Sequence, residues 1–149
     1  MMISARNQID AEIAGVRRDG IHALLLLRTA QGTEMYASIT GEAAEALCVR
    51  EGEKVIAFFK ASHVLVATGW AIPISARNRL EGIIENVKHG VVNAEVQMRI
   101  GGGDRLSATV TEDAVSNLDL RPGMDVVAII KASDVMVAKP FNTDTRNKK

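Results

Sequence analysis

Ser4-Ala5-Arg6-Asn7, close behind the opening methionine, recurs intact as Ser75-Ala76-Arg77-Asn78, an offset of 71 residues. The residues behind each copy keep that spacing for most of the chain. Lys60-Ala61-Ser62 returns as Lys131-Ala132-Ser133, followed by Val64, Val66 and Ala67 returning as Val135, Val137 and Ala138. Between these ends Thr40 matches Thr111, Ala43 matches Ala114, Leu47 matches Leu118 and Gly52 matches Gly123. The chain is a tandem duplication, so whatever fold one unit of about 70 residues adopts, the other repeats. Packing alone accepts many substitutes for Ser, Arg and Asn. A hydroxyl- and cation-bearing string kept while its surroundings drift therefore points to chemistry.

Outward from the string, strands read most plainly in the second unit. From Val92 to Ile100 apolar Val92, Ala94, Val96, Met98 and Ile100 alternate with polar residues, the signature of a strand with one wet face. Its counterpart, Ile21 to Arg28, is apolar on both faces, which predicts fuller cover from a neighbouring domain or subunit. Turns at Gln31-Gly32-Thr33 and Gly101-Gly102-Gly103-Asp104 lead into strands near Met35–Ile39 and Arg105–Val110. Thr40 and Thr111 then stand as N-caps of one short helix per unit. Gly52 and Pro122-Gly123 return the chain into strands Val55–Lys60 and Val126–Lys131, and Ser62–Ala67 and Ser133–Ala138 add an extended piece. About five short strands with one helix between the third and fourth is the order of an OB-like Greek-key barrel. The expected architecture is mainly β: two OB-like barrels, residues 2–69 and 73–139, joined by a short linker around Trp70, with 140–149 a frayed polar tail.

Units this small bury a limited core, so a homo-oligomer is expected. Eighteen basic and eighteen acidic side chains leave no net charge, removing the footprint of a duplex-binding or membrane-surface protein. Cys48 is the only cysteine and matches Asp119, so no disulfide or thiolate metal site is available within one chain, and a small, partly buried thiol is expected there. No stretch reads as a signal peptide or a bilayer span, so a cytoplasmic protein is expected.

Ser4, Arg6, Thr40 and Lys60, with their counterparts Ser75, Arg77, Thr111 and Lys131, can all donate hydrogen bonds, and two of each four are cations. Their natural guest is a small anion: Arg presents a rigid fork, Lys a compact charge, and a helix start unsatisfied N–H groups. No carboxylate or histidine is repeated unchanged as a base, since His63 matches Asp134 and His22 matches Asn93, so no enzyme is expected. There is no Gly-x-x-x-x-Gly-Lys loop for nucleotide phosphates. Single-strand nucleic-acid binding needs aromatic platforms, and with aromatics at 3% and Phe58-Phe59 replaced by Ile129-Ile130, no nucleic-acid partner is expected.

The two Ser-Ala-Arg-Asn strings, each with a Thr-led helix and a Lys-Ala-Ser behind it over residues 2 to 139, resemble the molbindins, small cytoplasmic molybdate-binding proteins, in their two-domain form. The resemblance implies paired OB-like domains, a trimer of tandem chains, and molybdate or tungstate bound as an oxyanion at domain interfaces, with no metal coordinated directly. It implies one wall made of Ser4, Ala5 and Arg6 or of Ser75, Ala76 and Arg77. The other would be Thr40, Lys60 and Ala61, or Thr111, Lys131 and Ala132. Family members that place a Ser three residues after the Thr have Ala43 and Ala114 in its place here, leaving a backbone N–H. Molybdate storage is the implied function. The alternatives are an oxyanion-sensing module that signals to a protein partner and, behind it, a single-strand nucleic-acid barrel.

Overall fold

The computed structural model describes residues 3–69 and 73–140, so the linker residues 70–72 and the tail from 141 onward lie outside the described residues. The first unit runs β1 (Asn7–Arg18), β2 (His22–Thr29), β3 (Glu34–Thr40), α1 (Gly41–Leu47), β4 (Lys54–Phe59) and β5 (Leu65–Ala67). The second repeats it as β6 (Asn78–Lys88), β7 (Asn93–Ile100), β8 (Asp104–Thr111), α2 (Glu112–Leu118), β9 (Asp125–Ile130) and β10 (Met136–Ala138). A 3-10 turn, Ala61–His63 or Ala132–Asp134, precedes the last short strand of each unit.

The two sheets exchange those last strands. One sheet runs β10-β4-β1-β2-β3 and the other β5-β9-β6-β7-β8. Val137 pairs with Ala57, and Val66 with Ala128, both antiparallel. β10 also lies against β3, and β5 against β8, so each sheet curls toward a five-stranded barrel whose fifth strand belongs to the other unit. The exchange is anchored by Val64 and Val135, each 1% exposed, immediately before the exchanged strands. Burying either valine contributes about 2 kcal/mol. The register of β1 slips between Ile13 and Gly15, and that of β6 between Ile84 and Asn86, matching bulges that add the twist closure requires.

Alternation places Ala23, Leu25 and Leu27 of β2 and Ala94, Val96 and Met98 of β7 in one contiguous apolar core that spans both units. Within one chain β2 is covered no more than β7: the two share one burial pattern, and the extra leucines Leu24 and Leu26 stay half-buried on the outer face, where β7 has Glu95 and Gln97. The β2–β3 turn docks on the β7–β8 turn. Thr29 Oγ1 donates to Asp104 Oδ2 (2.5 Å), and a Cβ at Gly102 would collide with the Gln31 carbonyl oxygen. That close approach explains Gly101 and Gly102, while Gly103 is held at φ 137°, where a side chain is strained.

Both helices end on a non-glycine residue in the left-handed region, Cys48 (φ 50°) and Asp119 (φ 53°). Cys48 is exposed there, not partly buried, because a C-cap points its side chain away from the core. No helix among the described residues is long and apolar enough to cross a membrane.

Candidate functional site

Each string occupies the four residues that lead into the longest strand of its unit. Ala5 is buried, while Ser4 and Arg6 are exposed. Asn7 and Asn78 are 4% and 2% exposed and clamp the edge strand of the opposite unit. Asn7 Nδ2 donates to the Ser107 carbonyl (2.8 Å), and the Ser107 N–H donates to Asn7 Oδ1 (2.7 Å). Asn78 repeats both bonds with Tyr36, at 2.8 and 2.7 Å. The residue after each Asn ties the string back on itself: Gln8 Nε2 donates to the Ile3 and Ala5 carbonyls, and Arg79 to the Ile74 carbonyl.

Strand pairing sets the Lys-Ala turn beside its own string. Asn7 pairs with Phe59 and Asn78 with Ile130, and one step beyond stand Arg6 with Lys60 and Arg77 with Lys131. The turn Ala61–His63 packs on β8, and Ala132–Asp134 on β3. The two turns meet where His63 Nδ1 lies 3.8 Å from Asp134 Oδ1. Ser4, Ala5, Arg6, Lys60 and Ala61 are thus gathered on the second unit, and Ser75, Ala76, Arg77, Lys131 and Ala132 on the first.

Thr40 and Thr111 stand apart within the chain. Thr40 pairs with His22 at the end of β3, four residues past Tyr36, or about 13 Å along the strand. β3 faces the turn 132–134 and β8 the turn 61–63, so within one chain Thr40 lies on the strand that faces the Arg77–Lys131 side and Thr111 on the strand that faces the Arg6–Lys60 side. Each threonine caps its helix, Oγ1 accepting from the Ala43 or Ala114 N–H at 3.1 Å. The first helical N–H groups, of Gly41 and Glu112, donate to the Ile21 and Val92 carbonyls. The N–H groups of Ala43 and Ala114 are therefore spent on the cap, and the first turns carry Glu42, Glu112 and Asp113. What each threonine retains for a ligand is its hydroxyl proton.

The two arginines differ. Arg6 reaches Glu95 of β7, Nη2 to Oε1 at 2.7 Å, an ionic contact without directed hydrogen-bond geometry. The guanidinium of Arg77 lies 4.6 Å from the centroid of the Tyr36 ring. The difference follows from the repeat: Glu95 falls where the first unit has Leu24, and Tyr36 where the second has Ser107. Among the described residues no group of His, Cys, Asp and Glu could hold a metal ion. The assembled side chains donate hydrogen bonds and carry positive charge, a combination suited to an oxyanion.

The family model for the TOBE domain matches twice, over residues 3–66 and 74–137. A solved structure of the cytoplasmic molybdate-binding protein ModG, with molybdate bound, is 35% identical, covers 94% of this chain and 100% of its own, and superposes with a TM-score of 0.90. The chain belongs to the TOBE-domain family, as a tandem molbindin. Molybdenum-pterin-binding protein MopB of Rhodobacter capsulatus is 36% identical over 140 residues, 92% of this molbindin and 51% of MopB. Molybdenum transport protein ModE of Herbaspirillum seropedicae is 35% identical over 139 residues, 93% of this molbindin and 52% of ModE. The molbindin spans about half the length of these two relatives. A probable molybdenum-pterin-binding protein of Haemophilus influenzae, 52% identical over 64 residues, aligns 93% of its length to 43% of this chain.

Four contributors escaped the sequence reading. Asn7 and Asn78 were visible as part of the string, but nothing local marks an asparagine that binds a distant strand edge. Glu95 and Tyr36 are not repeated, so a search for duplicated chemistry passes over them.

Proposed function

We propose that this chain binds molybdate, or tungstate as a dianion of the same shape, and stores it without catalysis, as a cytoplasmic homo-oligomer, a homotrimer. The observation that carries this reading is the full-length likeness to a ModG structure with molybdate bound. The proposed oxyanion ligands are Ser4, Ala5 and Arg6 with Lys60 and Ala61, Ser75, Ala76 and Arg77 with Lys131 and Ala132, and the hydroxyls of Thr40 and Thr111. Three features support an assembly in which copies complete one another's sites. The serine, arginine, lysine and threonine side chains are exposed, and the threonines stand away from the arginines of their own chain. Ile21 and its counterpart Val92, 73% and 69% exposed, offer matching apolar positions beside the two helix starts.

A donor-only pocket disfavours phosphate, which keeps a proton near neutral pH and must itself donate, whereas molybdate is a full dianion. Sulfate carries the same charge and is rejected by size. Calorimetric titration with molybdate, sulfate and phosphate, with oligomer mass measured in the same buffer, tests the reading. At least one molybdate per chain and weak sulfate competition are expected, and no heat from a correctly assembled oligomer would overturn it. Removing Arg6 or Arg77 weakens the site it serves on the order of tenfold to a hundredfold.

A sensing role has one observation in its favour: the match to ModE accounts for about half of that longer protein. A ligand-dependent change in binding to a protein partner would select sensing. Many ions per oligomer with unchanged partner binding would select storage.

A further inference from the structure

We infer that the two oxyanion half-sites are unequal, and that Glu95 is the residue that makes them so. The inference rests on the binding reading above and concerns a position at which the two units differ. Arg77 has no ion pair among the described residues, and its exposed guanidinium lies 4.6 Å from the centroid of the uncharged Tyr36 ring. Arg6 is engaged by a carboxylate. Glu95 Oε1 is shielded from solvent and has no hydrogen-bond donor, so Arg6 is the group that compensates its charge. An oxyanion arriving at Arg6 must share the guanidinium with a fixed negative charge or leave that charge uncompensated, and either outcome weakens binding. At Arg77 the same space holds Leu24 and Tyr36, which carry no charge.

The half-site built on Arg77 fills first, and the one built on Arg6 fills at higher concentration. Arg6 has 54% of its side chain exposed and Glu95 23%, so screening limits the difference to about fivefold in affinity. Glu95→Gln keeps the shape and removes the charge. Glu95→Leu installs the residue of the first unit and guards against a polar side chain that repacks.

The test is calorimetric titration of the wild-type chain and both variants with molybdate at fixed ionic strength, alongside Arg77→Ala. Two classes of site in equal number are expected for wild type. Glu95→Gln and Glu95→Leu should raise the weaker class about fivefold toward the tighter one, while Arg77→Ala should weaken the tighter class by about tenfold or more, to below the other. If wild type binds molybdate at one class of equal sites that neither Glu95 variant changes, the inference is overturned and the binding reading stands. If wild type binds no oxyanion, the binding reading fails first and takes the inference with it.

Discussion

Two residues hold an unfavourable backbone in the same place. Cys48 and Asp119 end their helices at φ 50° and 53°, where a Cβ crowds the following carbonyl and only glycine is at ease. Cys48→Gly and Asp119→Gly should each raise stability by about 1 kcal/mol in denaturant unfolding, and Cys48→Val should lower it. Glu112 contributes in a pH-dependent way. The His89 side chain, then the Gly90 N–H, hydrogen-bonds its carboxylate and holds its pKa below the ordinary 4.5. A depressed carboxyl pKa stabilises the fold fully above the unfolded value, and the contribution disappears as pH falls through the folded one. Thermal unfolding of Glu112→Gln should therefore lose less stability than wild type as pH drops below 4.5, and the two curves should run parallel above it.

At the scale of elements, the asparagine that closes each string acts as a fastener between the units. Asn7→Ala strands a backbone N–H and a carbonyl on β8, and Asn78→Ala does the same on β3. Each change should cost about 2–4 kcal/mol in equilibrium unfolding, and Asn→Asp should be no milder, because a carboxylate cannot donate to the carbonyl. The elements were legible in the sequence to different degrees. β7 and β8 show in their alternation, and Thr40 and Thr111 mark the helix starts. The first strands, β1 and β6, were the hardest to bound, since the bulges near Ala14 and Glu85 break the period of two. The strand exchange was not legible at all. Leu65-Val66-Ala67 and Met136-Val137-Ala138 carry the same pattern, so either strand fits either sheet, and periodicity has no term that separates the two pairings. The candidate site divides in the same way. Its duplicated donors were readable by repetition, whereas Glu95 matters because the repeat fails there.

At the scale of the molecule, exchange makes a second unit necessary for closure, and the duplication supplies it within one chain. Neither unit contains its own fifth strand, and the buried core runs through both. Fragments 1–69 and 73–149, purified separately, should give no folded monomer. Mixed, they should form a one-to-one complex whose circular dichroism matches the intact chain, as size-exclusion with mass detection would establish. The same wiring orders events during synthesis. β4 ends at Phe59, but the strand that completes its sheet ends at Ala138, so on the ribosome the first sheet must wait for nearly the whole second unit. At ordinary elongation rates that delay is roughly 4–16 s, during which the free edge of β4 remains open to any chain that could pair with it. The newborn protein is most exposed to wrong partners in the interval before its second half arrives, and slowing translation between codons 60 and 136 would lengthen that interval directly.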